Sequence, residues 1–120
     1  MEKLIKIAGQ QFYYSTIKDV VKQGTQVKRC AIILDEADLN PLLENLSILK
    51  SGVNQLIIIG KSLSTLYQKL KDEEMLLLSA NSFDEAIRFA ILSVELNENI
   101  ICTSKGSKNK VEEIMEELAV

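Results

Sequence analysis

The 120-residue chain has 47% hydrophobic and 26% charged residues, a formal net charge of −3 at pH 7, and no histidine. These values are typical of a globular protein and exclude a disordered one, and the negative charge argues against broad nucleic-acid binding, which requires a basic surface. The lack of histidine removes histidine general bases, Ser-His and Cys-His nucleophilic pairs, and histidine-ligated zinc.

The length fits a single domain over residues 1–120 that buries its own core. The sequence has no secretory leader pattern and no apolar run of about 18 residues, so we expect a soluble, cytoplasmic protein without a membrane partner. Cys30 and Cys102 each lie inside an apolar run. We expect both to be reduced and buried.

The first predicted elements are a strand over residues 4–8 and a helix from about residue 12 to residue 22, which Gly24 would end. Residues 30–34 form a continuous apolar run, typical of a strand buried on both faces. Asn40 and Pro41 then predict the start of a helix, with Asn40 capping the free backbone N–H groups. Residues 1–27 would thus add a strand and a helix to a unit over residues 28–120.

The second half of the chain repeats this alternation. Ser82 and Glu85 have the spacing of a capping box and predict a helix that ends near residue 96. Alternation of this kind predicts the α/β class, as a three-layer Rossmann-like sandwich with a mostly parallel sheet of about four or five strands. The remaining predicted strands cover residues 56–59, 75–78 and 100–102, and the remaining helices cover about residues 62–70 and 107–118.

Ligands in such folds bind beyond the carboxyl ends of the strands, so the loops there are the candidate sites. The loop over residues 35–40 contains three carboxylates, which could hold Mg²⁺, hydrogen-bond a ribose, or simply partner a helix dipole. The loop over residues 103–107 predicts either an anion site or an ordinary turn with a solvated lysine. Gly60-Lys61-Ser62 is not a P-loop, because Gln55 stands where that motif needs its first glycine.

Two stretches carry a resemblance to a known family. Residues 35–41 align with the signature Asp-x-Tyr-Asn-x-Asn-Pro, with matches at Asp35, Asn40 and Pro41. Residues 102–108, followed by a Glu-Glu pair, resemble a closing strand, a Lys-Gly-Ser-Arg turn and a final helix. Both patterns are similar to the C-terminal domain of the Mur ligases of peptidoglycan synthesis, especially the branch that adds D-alanyl-D-alanine.

The resemblance implies that Asp35 and Asn40 face a nucleotide, and that Lys105, Gly106 and Ser107 bind a substrate carboxylate or phosphate. It also implies ATP with Mg²⁺ as the cofactor of the complete enzyme, an ATP-dependent amide ligase. The family's ATPase and central domains are absent from this chain, so we expect a stand-alone or excised domain that needs a catalytic partner domain or subunit. No catalytic residue and no dedicated metal ligand is predicted.

The alternative prediction is a non-catalytic Rossmann-like interaction module that acts as a homodimer or as a subunit of a larger complex. It is motivated by the absence of histidine and of an intact catalytic set in the sequence. A further motive is the aromatic cluster Phe12-Tyr13-Tyr14, which the resemblance leaves unexplained and which could instead pack across the sheet. A third hypothesis is a small independent enzyme that uses Lys105 with Asp35.

Overall fold

A computed structural model describes residues 1–7, 9–26, 29–60, 68, 70, 75–94, 98–104 and 107–118. Within these residues six strands form one sheet in the order β1-β2-β6-β3-β4-β5. β1 is antiparallel to β2, and every other neighbouring pair is parallel. The predicted α/β class with a mostly parallel sheet is confirmed. The strands are β1 (Glu2–Ile7), β2 (Gln10–Tyr14), β3 (Cys30–Asp35), β4 (Val53–Ile59), β5 (Leu76–Ala80) and β6 (Asn99–Cys102).

Helices cover both faces of this sheet. Among the described helices, the two longest follow β5 and β6, and shorter ones follow β2 and β3. They are α1 (Ile17–Gln23), α2 (Leu39–Glu44), α3 (Leu46–Leu49), α4 (Phe83–Ser93) and α5 (Ser107–Leu118), with 3-10 turns at Gly24–Gln26 and Glu36–Asp38.

The core has two halves, one on each face of the sheet, and β3 contributes to both. Ala31 and Ile33 pack into a cluster with residues of α4 and α5, whereas Ile32 and Leu34 pack into a cluster with residues of α1, α2 and α3. This alternation follows from the two-residue period of a strand. A strand buried on both faces must be apolar at every position, so the continuous apolar run of β3 is confirmed as a central strand.

The prediction of a helix from about residue 12 was wrong, because residues 10–14 form β2 and raise the strand number above the predicted four or five. Aromatic side chains fit a pleated, half-buried surface, and here Phe12 is fully buried in the core. The helix starts only after Thr16, whose hydroxyl oxygen accepts a hydrogen bond from the backbone N–H of Asp19. Gly24 ends it with a φ of 50°, as predicted.

The predicted role of Asn40 as a helix cap was also wrong. A 3-10 turn over Glu36–Asp38 runs directly into α2, which begins at Leu39, so Asn40 lies inside the helix and is exposed. Pro41 is tolerated in this first turn because its missing N–H would have no acceptor within the helix.

The later strands and helices lie close to the ranges predicted from the sequence, with small differences at their ends. The hydroxyl oxygen of Ser82 accepts a hydrogen bond from the backbone N–H of Glu85, as the capping box predicts. α4 ends at Ser93, slightly before the predicted end, and α5 spans the predicted range. Most of the predicted helix over residues 62–70 lies outside the described residues.

Candidate functional site

The chain leaves β3 and β6 toward opposite faces of the sheet. These strands are parallel neighbours, yet β3 leads into α2 on one face and β6 leads into α5 on the other. Where adjacent loops diverge in this way, a crevice opens at the carboxyl edge of the sheet, and ligands of α/β proteins bind in such crevices.

A pocket of about 400 Å³ lies at this edge. It is bounded by the end of β2 with the start of α1, by the loop that follows β3, and by the loop that follows β6. We call it the switch-point pocket. The described residues that line it are Tyr14, Thr16, Ile17, Lys18, Asp35, Ala37, Asp38, Thr103 and Ser104.

Two hydrogen bonds join the loops on either side of the crevice. The Ser104 hydroxyl donates to Oδ2 of Asp35 at 2.6 Å, and the Thr103 hydroxyl donates to Oδ2 of Asp38 at 2.8 Å. Hydrogen bonds to an ionised acceptor are shorter and stronger than those between neutral groups. These bonds therefore fix both carboxylates in the pocket wall. Among the residues the structure describes, the Oδ1 atom of each carboxylate has no hydrogen-bond partner.

The backbone under these side chains continues the sheet. The N–H of Thr103 donates to the carbonyl of Ile33 at 3.1 Å, and the N–H of Ser15 donates to the carbonyl of Cys102 at 3.1 Å. Three strand ends are thus held side by side, so the polar groups of the pocket stand on a rigid sheet edge and not on a free loop.

The start of α1 adds a positive charge to the pocket lining. Lys18 is exposed on the first turn of α1, and its ammonium group forms no hydrogen bond or ion pair within the described part of the chain. Among the described lining residues, one ammonium group thus shares the pocket with the two carboxylates of Asp35 and Asp38. A phosphate or a carboxylate alone would be repelled by the carboxylate side.

The structure brings together some of the predicted site residues and separates others. Asp35 lies in the switch-point pocket, whereas Asn40 is exposed on α2 and does not line it. Lys105 and Gly106 lie outside the described residues. Ser107 begins α5, but its side chain is also outside the described part.

Sequence reasoning missed the contribution of β2 and α1 to the pocket. Tyr14, Thr16 and Lys18 reach the edge because β2 is a strand parallel to β6. The spacing of Thr16 and Asp19 is a helix-start signal that would have placed the beginning of α1 correctly. Thr103 and Ser104 lie in the loop that the sequence predicted as a candidate site, but no role was predicted for their hydroxyls.

A second close approach occurs at the same edge, between Glu36 and Gly60. Gly60 has a φ of 138°, and a Cβ atom there would overlap the side chain of Glu36. Gly60 is tied to β5 by its N–H, which donates to the carbonyl of Ala80 at 3.0 Å, and by its carbonyl, which accepts from the Ser79 hydroxyl at 2.9 Å. The backbone conformation favours glycine, and the lack of a Cβ lets the exposed Glu36 side chain lie against it.

The described residues favour a magnesium ion that is bound together with a nucleotide over one that is bound by the protein alone. They contain no group of three or more His, Cys, Asp or Glu side chains placed to hold a metal. Mg²⁺ in nucleotide sites usually keeps several waters and takes only one or two carboxylates besides the phosphates. Asp35 and Asp38 could supply one or two such ligands to an ion that a nucleotide carries.

The two cysteines belong to the core and not to the site. Both are free and buried, as predicted. Burial, with a smaller contribution from Glu98, raises the pKa of the Cys30 thiol from 9.0 to about 12. Burial alone raises the pKa of the Cys102 thiol to the same value. Both thiols therefore stay protonated at neutral pH and are poor nucleophiles.

No helix in the described ranges is long and apolar enough to cross a membrane.

Comparison with solved structures shows a likeness that covers nearly the whole chain. No protein-family model matches the chain, and no curated protein matches it significantly. Among solved structures, the chain is similar to a domain described as belonging to a UDP-N-acetylmuramate:L-alanyl-gamma-D-glutamyl-meso-diaminopimelate ligase of Haemophilus ducreyi, with a TM-score of 0.63 and 13% sequence identity. The alignment covers 99% of this chain and 98% of that one. At this identity the likeness shows the fold alone, and the fold of this chain is Mur ligase-like.

Proposed function

We propose that this chain is a Mur-ligase-like domain that binds a nucleotide or an acidic peptide substrate in the switch-point pocket and does not catalyse alone. The observation that carries the proposal is the meeting of Asp35 and Ser104 in one pocket at the divergence of β3 and β6. The similarity to a ligase domain of matching extent supports it at the level of the fold.

The chemistry of the pocket wall narrows what part of a ligand would lie there. Oδ1 of Asp35 and Oδ1 of Asp38 are acceptors, and Ser104 and Thr103 already hold the other oxygen of each group. Ribose hydroxyls and ammonium groups are donors that complement such acceptors. The donor-bearing part of the nucleotide or peptide would therefore face Asp35 and Asp38.

Asn40, Lys105, Gly106 and Ser107 stay in this proposal as outlying contacts. Asn40 is exposed on α2 beyond the pocket, so it would meet only a ligand that extends along that helix. The anion-binding role of residues 105–107 remains a prediction from the sequence.

The dependence on a partner follows from what the sequence lacks. Without a phosphate-binding loop and without histidine, the chain itself supplies no recognised means of activating ATP. A partner domain or subunit would bind and activate the ATP phosphates, and this chain would orient the substrate. Whether the substrate ends in D-alanyl-D-alanine is a finer prediction, which the choice of peptide below addresses.

Amide chemical shifts of the ¹⁵N-labelled chain test the proposal directly. ATP with Mg²⁺, D-alanyl-D-alanine and an acidic dipeptide would be titrated separately. We expect saturable shifts at residues 14–18, 35–38 and 103–104 with at least one of them. Shifts confined to other parts of the chain, or no shifts with any ligand, would exclude binding in the switch-point pocket.

The second candidate, a homo-oligomer or complex subunit, now rests on a different feature. The aromatic cluster that motivated it packs in the sheet, where Phe12 is buried and Tyr13 packs against the opposite cluster. What favours it instead is the edge strand β5, which carries no charged residue and whose first residue, Leu76, is 50% exposed. Sedimentation at high protein concentration tests it, and a purely monomeric chain contradicts self-association.

A further inference from the structure

Lys18 is the one cationic residue among the described residues that line the switch-point pocket, and it is not part of either stretch that resembles the ligase family. It lies in the first turn of α1, a helix that the sequence alone placed too early. In the same pocket, Asp35 and Asp38 present carboxylates whose orientation is fixed by hydroxyls from the loop after β6. The described part of the pocket lining thus carries both signs of charge.

We infer that Lys18 determines ligand specificity, by selecting ligands that carry an anionic group besides the donor group that faces Asp35 and Asp38. The inference rests on the proposed function, because it assumes that the switch-point pocket is the binding site. A neutral donor would gain nothing from Lys18, and an anion without a donor would be repelled by the carboxylates. A ligand with both groups can pair its anion with Lys18 and its donor with Asp35 and Asp38.

The anionic group could be the phosphate of a nucleotide or the carboxylate of a peptide, since an ammonium group pairs with either. Lys18 is exposed, so its interaction is partly screened and its contribution is modest. A pair of this kind contributes up to about 1 kcal/mol, which corresponds to about a fivefold change in affinity. Because the interaction is Coulombic, it should also weaken as salt rises.

The test compares Lys18→Gln with Lys22→Gln, which removes the same charge from the last turn of the same helix, outside the pocket. Dissociation constants would be measured by calorimetry for two ligand pairs, ADP against adenosine and D-alanyl-D-alanine against its C-terminal amide. We expect Lys18→Gln to weaken binding of the charged member of at least one pair about fivefold and to leave its neutral member unchanged. The pair that responds identifies the anion as phosphate or carboxylate.

The salt dependence gives a second readout. Between 20 and 300 mM NaCl the Debye length falls from about 21 Å to about 6 Å. The affinity of the unmodified chain for the responding ligand should therefore fall over this range, and the fall should be smaller in Lys18→Gln. If the unmodified chain binds none of the four ligands, the proposed function and this inference fail together. If it binds but Lys18→Gln and Lys22→Gln behave alike with both pairs, only the role of Lys18 is overturned.

Discussion

The hydroxyl of Ser104 donates a 2.6 Å hydrogen bond to Oδ2 of Asp35, a residue 69 positions earlier in the chain. The two residues follow neighbouring parallel strands, β6 and β3, whose chains then turn to opposite faces of the sheet. The bond therefore links the two strand ends beside the crevice and fixes the Asp35 carboxylate that the proposed function uses.

Removal of this bond should weaken the fold and loosen Asp35. We expect Ser104→Ala to lower the free energy of unfolding by about 1.5 to 3 kcal/mol, the usual net range for a hydrogen bond to a charged group. Urea denaturation measures the change. Ser51→Ala, at an exposed turn residue whose side chain makes no hydrogen bond to the described residues, is the matched control and should be neutral. Equal stability of the two variants would contradict a structural role for the Ser104 bond.

Gly60 should tolerate no side chain. Gly60→Ala would force a non-glycine residue to a φ of 138° and would place its Cβ against Glu36, so we expect a loss of about 1 to 3 kcal/mol in stability. Because the exposed Glu36 side chain can move aside, the loss should come mainly from the backbone conformation. It should therefore persist when Gly60→Ala is made in a Glu36→Ala background and compared with Glu36→Ala alone. Disappearance of the loss in that background would show that the backbone conformation costs nothing.

The capping hydroxyl of Ser82 should stabilise α4. Ser82→Ala leaves the N–H of Glu85 without its acceptor and should cost about 1 kcal/mol. Ser82→Asn supplies another good cap and is expected to stay near the original stability. Thermal unfolding followed by circular dichroism compares the two, and an alanine variant as stable as the asparagine variant would be the contrary result.

The buried thiols should make the fold sensitive to alkali. The pKa of an exposed thiol is 9.0, whereas burial in the fold raises the pKa of Cys30 and of Cys102 to about 12. Between these values the unfolded chain has lost protons that the folded chain keeps, so the free energy of unfolding falls as pH rises. The fall is at most about 1.4 kcal/mol per pH unit for each thiol, and below pH 9 the contribution is constant.

Urea midpoints at pH 8 and pH 10 for the original chain and for the Cys30→Ala, Cys102→Ala double variant isolate this effect. The double variant is less stable at pH 8, since it leaves space in the core, but its midpoint should change less between the two pH values. Identical pH dependence in both proteins would refute the contribution of the thiols.

The sequence predicted the fold better than the site, and the reason is topological. Apolar runs such as residues 30–34 identify strands because burial on both faces demands it. The position of β6 between β2 and β3 depends on which strands pair over long distances, and no local pattern encodes it. Asp35 can be found from its own loop, but Lys18 cannot, because the local pattern predicts a helix over the aromatic run that in fact forms β2.

The central claim is that Asp35 binds a ligand in the switch-point pocket. Affinities of the Asp35→Asn and Asp19→Asn variants for whichever ligand binds the original chain test it most directly. Asn at position 35 can still accept from Ser104, so the fold should persist, whereas Asp19 lies on α1 outside the pocket lining. We predict that Asp35→Asn loses about tenfold or more in affinity, as expected for a charge-assisted hydrogen bond, and that Asp19→Asn loses nothing. Unchanged affinity in Asp35→Asn would contradict the account.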